Sequence, residues 1–240
     1  SKGSGLRIWD LEAKAEVFQN RTDRFNATAW HDDGRRIVVG GHQKDVAIWD
    51  TETGKVEQTL RGHSERGDIL SVAWDPEGVR VAASCSVNHV LIWDADSGDL
   101  LHRFQGPPIG RNGGHNNVAW SPLGDRLASG FGDGSIIVWD PKSGETLSVF
   151  TGHTSSTISL AWSPDGDRLL SLSDDGSVRL WNADTGRELL ALSNSHGGLH
   201  SRSVAWSPTG KVFAVTGSEL RIFDATIGYH RASKLESELP

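Results

Sequence analysis

GHTSSTISLAWSPDGDRLLSLSDDGSVRLWNADTGRELLAL, residues 152–192, alternates four short apolar runs with three turns that each carry a glycine. Ser159–Trp162 is the first run. Ser163-Pro164-Asp165-Gly166 turns the chain, with proline presetting φ and glycine accepting positive φ. Arg168–Leu172 follows, then the tight turn Asp174-Asp175-Gly176, then Ser177–Trp181. Asp184-Thr185-Gly186 turns again before Glu188–Leu192. Runs this short, bounded this regularly, predict four antiparallel strands and no helix of ordinary length.

The unit recurs along the chain. Trp9, Trp49, Trp93 and Trp139 each precede Asp, and Trp181-Asn182 and Phe223-Asp224 continue the series at intervals of 40, 44, 46, 42 and 42 residues. A second register, Trp30, Trp74, Trp120, Trp162 and Trp206, leads the first by 19 residues four times and by 17 at the end. Self-similarity at this period predicts an all-β propeller of four-stranded antiparallel blades. One such sheet cannot bury both faces, whereas sheets packed radially on like sheets can. Five complete blades can be drawn: Phe25–Leu60, Ile69–Phe104, His115–Phe150, Ile158–Leu192 and Arg202–Ser233. Before them, Leu6–Asn20 supplies a third and fourth strand only. Both ends therefore offer a third strand, which predicts part of a longer array. Open edge strands in an incomplete ring invite self-association. Ser1–Gly5 reads as a cloning scar or cut turn, Leu6–His230 as the array, and Arg231–Pro240 as a polar tail.

Composition narrows the function. The 240 residues carry 24 Lys+Arg against 31 Asp+Glu, a net charge of −7, which argues against nucleic acid as the main partner. One cysteine, Cys85, rules out an intrachain disulfide and fits a cytoplasmic setting. No segment approaches a membrane span. The ten histidines are scattered without metal-ligand spacing, so neither metal nor cofactor is expected.

On these motifs, with Gly62-His63 and Gly152-His153 added, the chain resembles the WD-repeat (Trp-Asp repeat) propellers over nearly all of residues 5–230. The resemblance implies a buried chain of His, Ser or Thr, Asp and Trp within a blade. The fourth blade offers His153, Ser171, Asp175 and Trp181. The third offers Ser129, Asp133 and Trp139 without a histidine. The second has His63 and Trp93, with Val87 where Asp is expected. Gln43 takes that place in the first, and Phe223 replaces Trp in the last. A His–Ser–Asp set could be mistaken for a catalytic triad. Its place in the array makes it a structural strut instead, and no nucleophile-elbow sequence is present.

The expected function is a non-enzymatic scaffold for other proteins or peptides, as the binding module of a larger signalling or effector protein. The alternative is a propeller enzyme or small-ligand binder using the channel mouth. Loops entering each first strand, and turns between second and third strands, ring one mouth. Their candidates for partner binding are Arg24, Phe25, Arg66, Asp68, Arg111, Asn112, His115, Phe131, His200 and Arg202, because arginine and aromatic side chains on exposed loops make hot spots. The long Gln105–Asn117 connection is the most irregular.

Overall fold

The computed structural model describes residues 5–20, 25–42, 45–62, 67–108, 117–193, 203–217 and 219–226. Among these there is no helix, and the strands form six antiparallel sheets. A hairpin pairs β1 (Leu6–Asp10) with β2 (Ala15–Asn20). The first full blade is β3 (Phe25–Trp30), β4 (Arg36–Gly41), β5 (Val46–Asp50) and β6 (Lys55–Leu60). The second is β7 (Ile69–Trp74), β8 (Arg80–Cys85), β9 (His89–Asp94) and β10 (Leu100–Gln105). The third is β11 (Asn117–Trp120), β12 (Leu127–Gly130), β13 (Ile136–Trp139) and β14 (Thr146–Phe150). The fourth is β15 (Thr157–Trp162), β16 (Arg168–Ser173), β17 (Ser177–Asn182) and β18 (Glu188–Ser193). The fifth sheet holds β19 (Ser203–Trp206), β20 (Val212–Thr216) and β21 (Leu220–Asp224). The fourth strand expected within Arg202–Ser233 lies outside the described residues.

The aspartate of each Trp-Asp pair has a local task. Asp50 Oδ1 accepts the N–H of Glu52 and Thr53, and Asp94 and Asp140 repeat the arrangement on the next two blades. Each carboxylate thereby closes the turn between third and fourth strands and satisfies two N–H groups that the ladder leaves over. The glycine four residues on takes positive φ in every full blade, whereas Lys14 adopts a φ of 51° in the N-terminal hairpin.

Apolar side chains fill the gaps between sheets rather than one central core. Val38, Val46 and Ile48 of the first blade pack on Ile69, Val72, Val81 and Trp93 of the second. Val90 and Ile92 meet Val118, Leu127 and Trp139 in the same way, and Ile136 and Val138 meet Leu160, Leu169 and Trp181. Leu170, Val178 and Leu180 close on Val204 and Phe213. The second tryptophan register ties these layers together. The indole N–H of Trp74 donates to the Ala29 carbonyl at 3.1 Å, Trp120 to Ala73 at 3.3 Å, Trp162 to Ala119 at 2.9 Å and Trp206 to Ala161 at 3.1 Å. Every joint runs from a first-strand tryptophan back to the alanine beside the preceding blade's own tryptophan. Three of the joints also carry an arginine over the indole: Arg36 on Trp74, Arg80 on Trp120 and Arg168 on Trp206.

Candidate functional site

The most elaborate polar arrangement lies inside the fourth blade. The register of β16 on β17 puts Ser171 two pairs along from Leu169–Trp181, on the same face of the sheet, so its hydroxyl faces the indole. Trp181 Nε1–H donates to Ser171 Oγ at 2.8 Å. Ser171 Oγ lies 2.7 Å from His153 Nε2, and His153 Nδ1 lies 3.0 Å from Asp175 Oδ2. The indole has only a proton to give and the carboxylate only lone pairs, which orients the links. The serine hydroxyl donates to Nε2 of a neutral imidazole, whose Nδ1–H donates to Asp175. His153 titrates below the ordinary imidazole range because burial dominates, with the Asp175 bond and charge acting the other way. Burial acts to raise the Asp175 carboxyl, but the Ser177 hydroxyl and N–H, the Thr154 N–H and His153 outweigh it and bring it to about 2.

Ser171 is fully buried and its oxygen already serves the indole, so the trio presents no nucleophile to a substrate. Its chemistry is that of a strut pinning the loop at His153 and the turn at Asp175 to the blade.

The other blades hold fragments of this arrangement. In the third, Trp139 donates to Ser129 Oγ at 2.6 Å. Asp133 does not join it, which corrects the expectation: it is exposed and bonds the Ser135 N–H and hydroxyl of its own turn. Among the described residues no group bridges from that carboxylate to Ser129. In the second blade Ala83 stands at the position of Ser171, and Trp93 donates to the Arg61 carbonyl at 2.6 Å instead. In the first blade Val39 stands there, and the buried Trp49 Nε1 has no hydrogen-bond partner among the described residues. The fifth has Val215 and Phe223, with no indole to satisfy.

Of the expected mouth residues, Arg24, Arg66, Arg111, Asn112, His115, His200 and Arg202 lie outside the described residues, as does His63. Phe25 is half-buried at the start of β3 against Leu6, Ile37 and Val39. Asp68 pairs with His42 Nδ1 at 2.7 Å, joining the entry to the second blade to a turn of the first. Phe131 is a correction. It is fully buried among Val90, Phe104 and Val118, under Gly106, rather than presented to a partner. The signal lay in the repeat: Phe131 follows β12 directly, as Cys85 ends β8 and Ser173 ends β16, and both of those are buried.

Sequence reasoning missed the opposite mouth. There the first turns of the first two blades frame an open cavity of ≈ 350 Å³ lined by Trp30, His31, Asp32, Trp74 and Glu77 among others. His31 stands where Asp75, Ser121, Ser163 and Ser207 open the equivalent turns. It accepts the Asp33 N–H at Nδ1 and sets its ring edge-on to Trp74. Among the described residues no group of three or more His, Cys, Asp or Glu is placed to hold a metal ion.

Four-stranded sheets in radial series, jointed by indole-to-carbonyl bonds and strutted from within, define a repeat propeller array. The profile of the WD domain, G-beta repeat, matches residues 15–50, 54–94, 98–140 and 144–182, and the chain belongs to that family. It is also similar to the WD repeat-containing protein srw1 of Schizosaccharomyces pombe, with 34% identity over 71 residues. That match covers 28% of this chain and 13% of the yeast protein's length. Domains of this family are protein-interaction scaffolds in kind.

Proposed function

We propose that this chain holds other proteins without chemistry of its own, as the binding module of a larger signalling or effector protein. The observation that carries the reading is the strut in the fourth blade: the one triad-like set among the described residues is spent on holding Trp181. What remains for function is the surface of a rigid array and its connecting loops. A protein partner docks on the mouth ringed by the loops before each first strand, for which Arg24, Phe25, Arg66, Asp68, Arg111, Asn112, His115, His200 and Arg202 are the candidates. The acidic balance supports protein rather than nucleic acid or membrane as the partner. Cys85, buried and in no disulfide, with its thiol pushed up by that burial, supports a cytoplasmic setting. The test replaces Arg66 and Arg111 together with Ala and compares partner capture with that of a chain ending at His230. Loss in the double variant alone supports this mouth. Loss in the truncation alone moves the site to the tail, and loss in neither refutes both.

The cavity at the opposite mouth favours a second reading, as a small-ligand site. Its ≈ 350 Å³ is at the low end of the about 300–1,000 Å³ usual for ligand pockets. Saturable quenching of indole fluorescence by a small-molecule library, lost in Trp30→Ala, would support it.

A further inference from the structure

At the opposite mouth, the joint between the first two blades is filled differently from the three that follow. At the later joints an apolar side chain of one first turn lies against the glycine of the next: Pro76 on Gly124, Leu123 on Gly166 and Pro164 on Gly210. Those turns read Asp75-Pro76-Glu77-Gly78, Ser121-Pro122-Leu123-Gly124, Ser163-Pro164-Asp165-Gly166 and Ser207-Pro208-Thr209-Gly210, whereas the first blade reads His31-Asp32-Asp33-Gly34. Asp32 stands in the proline's place, and Asp33, in that of Leu123, is drawn to Arg36 at 2.8 Å. The His31 ring lies against Gly78 instead, with Nε2 3.2 Å from the Gly78 carbonyl. The open cavity of ≈ 350 Å³ is what this substitution leaves. Its lining comes from the first, second and third blades, all of them complete with four described strands.

The cavity combines an apolar wall with uncommitted negative charge. Val72, Ala73, Trp74 and Trp120 supply much of the wall. Nearby, Asp33 is held by Arg36, Asp50 by Arg35 and Asp75 by Arg80, so these carboxylates and these cations neutralise one another. Asp32 and Glu77 also line the cavity, and both are exposed. Among the described residues neither carboxylate has a hydrogen bond or an ion pair. Two free carboxylates beside indoles suit a flat, weakly hydrated cation on an apolar stem. The fold already places such groups here: the guanidiniums of Arg36 and Arg80 stand over Trp74 at 5.5 Å and over Trp120 at 4.7 Å.

Building on the reading of this cavity as a ligand site, we propose that it receives an arginine side chain from a basic segment of a partner protein. The stem lies against Val72, Trp74 and Trp120, and the guanidinium reaches Asp32 and Glu77. The volume, at the small end for a ligand pocket, fits one side chain. The net charge of −7 favours the approach of a basic segment.

The test titrates the full chain with a blocked pentapeptide of one arginine flanked by glycines and follows the indole N–H signals of Trp74 and Trp120 by NMR. Both signals should shift saturably. The same peptide with citrulline, which keeps the shape and loses the charge, should bind about tenfold more weakly. Asp32→Asn and Glu77→Gln should each weaken the arginine peptide about threefold and leave the citrulline peptide unchanged. Asp32→Pro, which restores the residue of the other turns, should abolish binding of both. A citrulline peptide that binds as tightly as the arginine peptide would overturn the assignment to arginine while leaving the cavity a ligand site. Tighter binding of N-acetylarginine amide than of the peptide would overturn a protein as the source and assign the cavity to a free guanidinium compound. No shift with any of these probes would overturn the proposal, and the absence of small-molecule quenching as well would refute the ligand site itself.

Discussion

The fourth and first blades share strand order, turn chemistry and a third-strand tryptophan, yet they treat that tryptophan differently. Trp181 donates its N–H into a chain that ends on a carboxylate, while Trp49 buries the same N–H with no acceptor among the described residues. The two blades differ two residues along from the partner of the tryptophan, with Ser171 in one and Val39 in the other. The strand frame survives both choices. The apolar layers between blades therefore set the architecture, and the polar chain adjusts how firmly one blade's loop and turn are held.

The largest effect is expected for Ser171→Ala, which strands both the Trp181 N–H and His153 Nε2. Two buried groups left unpaired should cost on the order of 2–4 kcal/mol in denaturant unfolding followed by tryptophan fluorescence. A cost within error would mean that the strut carries no strain-free load and that the comparison is empty. Asp175→Ala should come next, at about 1–3 kcal/mol, since His153 keeps its serine partner and loses only the far acceptor.

Acidification should separate the blades without mutation. His153 titrates below its unfolded value of 6.5. As pH falls through 6.5 the unfolded chain takes up a proton that the folded blade refuses, so stability present above that pH declines. Asp175, held at about 2 against an unfolded 3.8, adds a second loss as pH falls from 3.8 towards 2. Hydrogen exchange should show the Trp181 indole and the fourth-blade amides losing protection below pH 6.5, while the Trp93 indole, bonded to a backbone carbonyl, holds steady. Equal loss at both indoles would refute the assignment.

Val39→Thr against Val215→Thr sharpens the comparison. In the first blade the new hydroxyl meets the unsatisfied Trp49 N–H, and in the fifth it faces Phe223, which has nothing to donate. The first substitution should cost about 1 kcal/mol less than the second. The smallest effect is expected outside this set. Lys14→Gly should stabilise the N-terminal hairpin by about 0.5 kcal/mol, relieving a left-handed residue at some cost in chain entropy.

The sequence was most informative where one residue type has one job. Trp-Asp spacing predicted the strands, and the strands follow it because Asp50, Asp94 and Asp140 each close the turn they precede. His153, Ser171 and Asp175 were readable as a group through the resemblance to the WD-repeat propellers, which implies such a chain within a blade, and the fourth blade forms it. Asp133 was not, because an aspartate at the right offset reaches nothing once the histidine between it and Ser129 is gone. Phe131 misled for a different reason. A residue counted as loop by its neighbours is covered by Gly106, and the mark of that burial lies not beside it but at the matching positions of other repeats, Cys85 and Ser173. The inter-blade joints were also hidden, because the acceptor is a backbone carbonyl on another repeat and any residue type would supply one.

Those joints have a sense of direction. Each repeat brings a plug, its first-strand tryptophan, and beside it a socket, the alanine carbonyl that the following repeat will fill. A gene segment copied in tandem would deliver both halves together, so an extra unit would mate with its neighbours on either side with no interface left to invent. The same pairing makes reversal unworkable: a unit inserted backwards would set plug against plug. Length in such a chain is cheap to vary, while its polarity is locked from the first duplication.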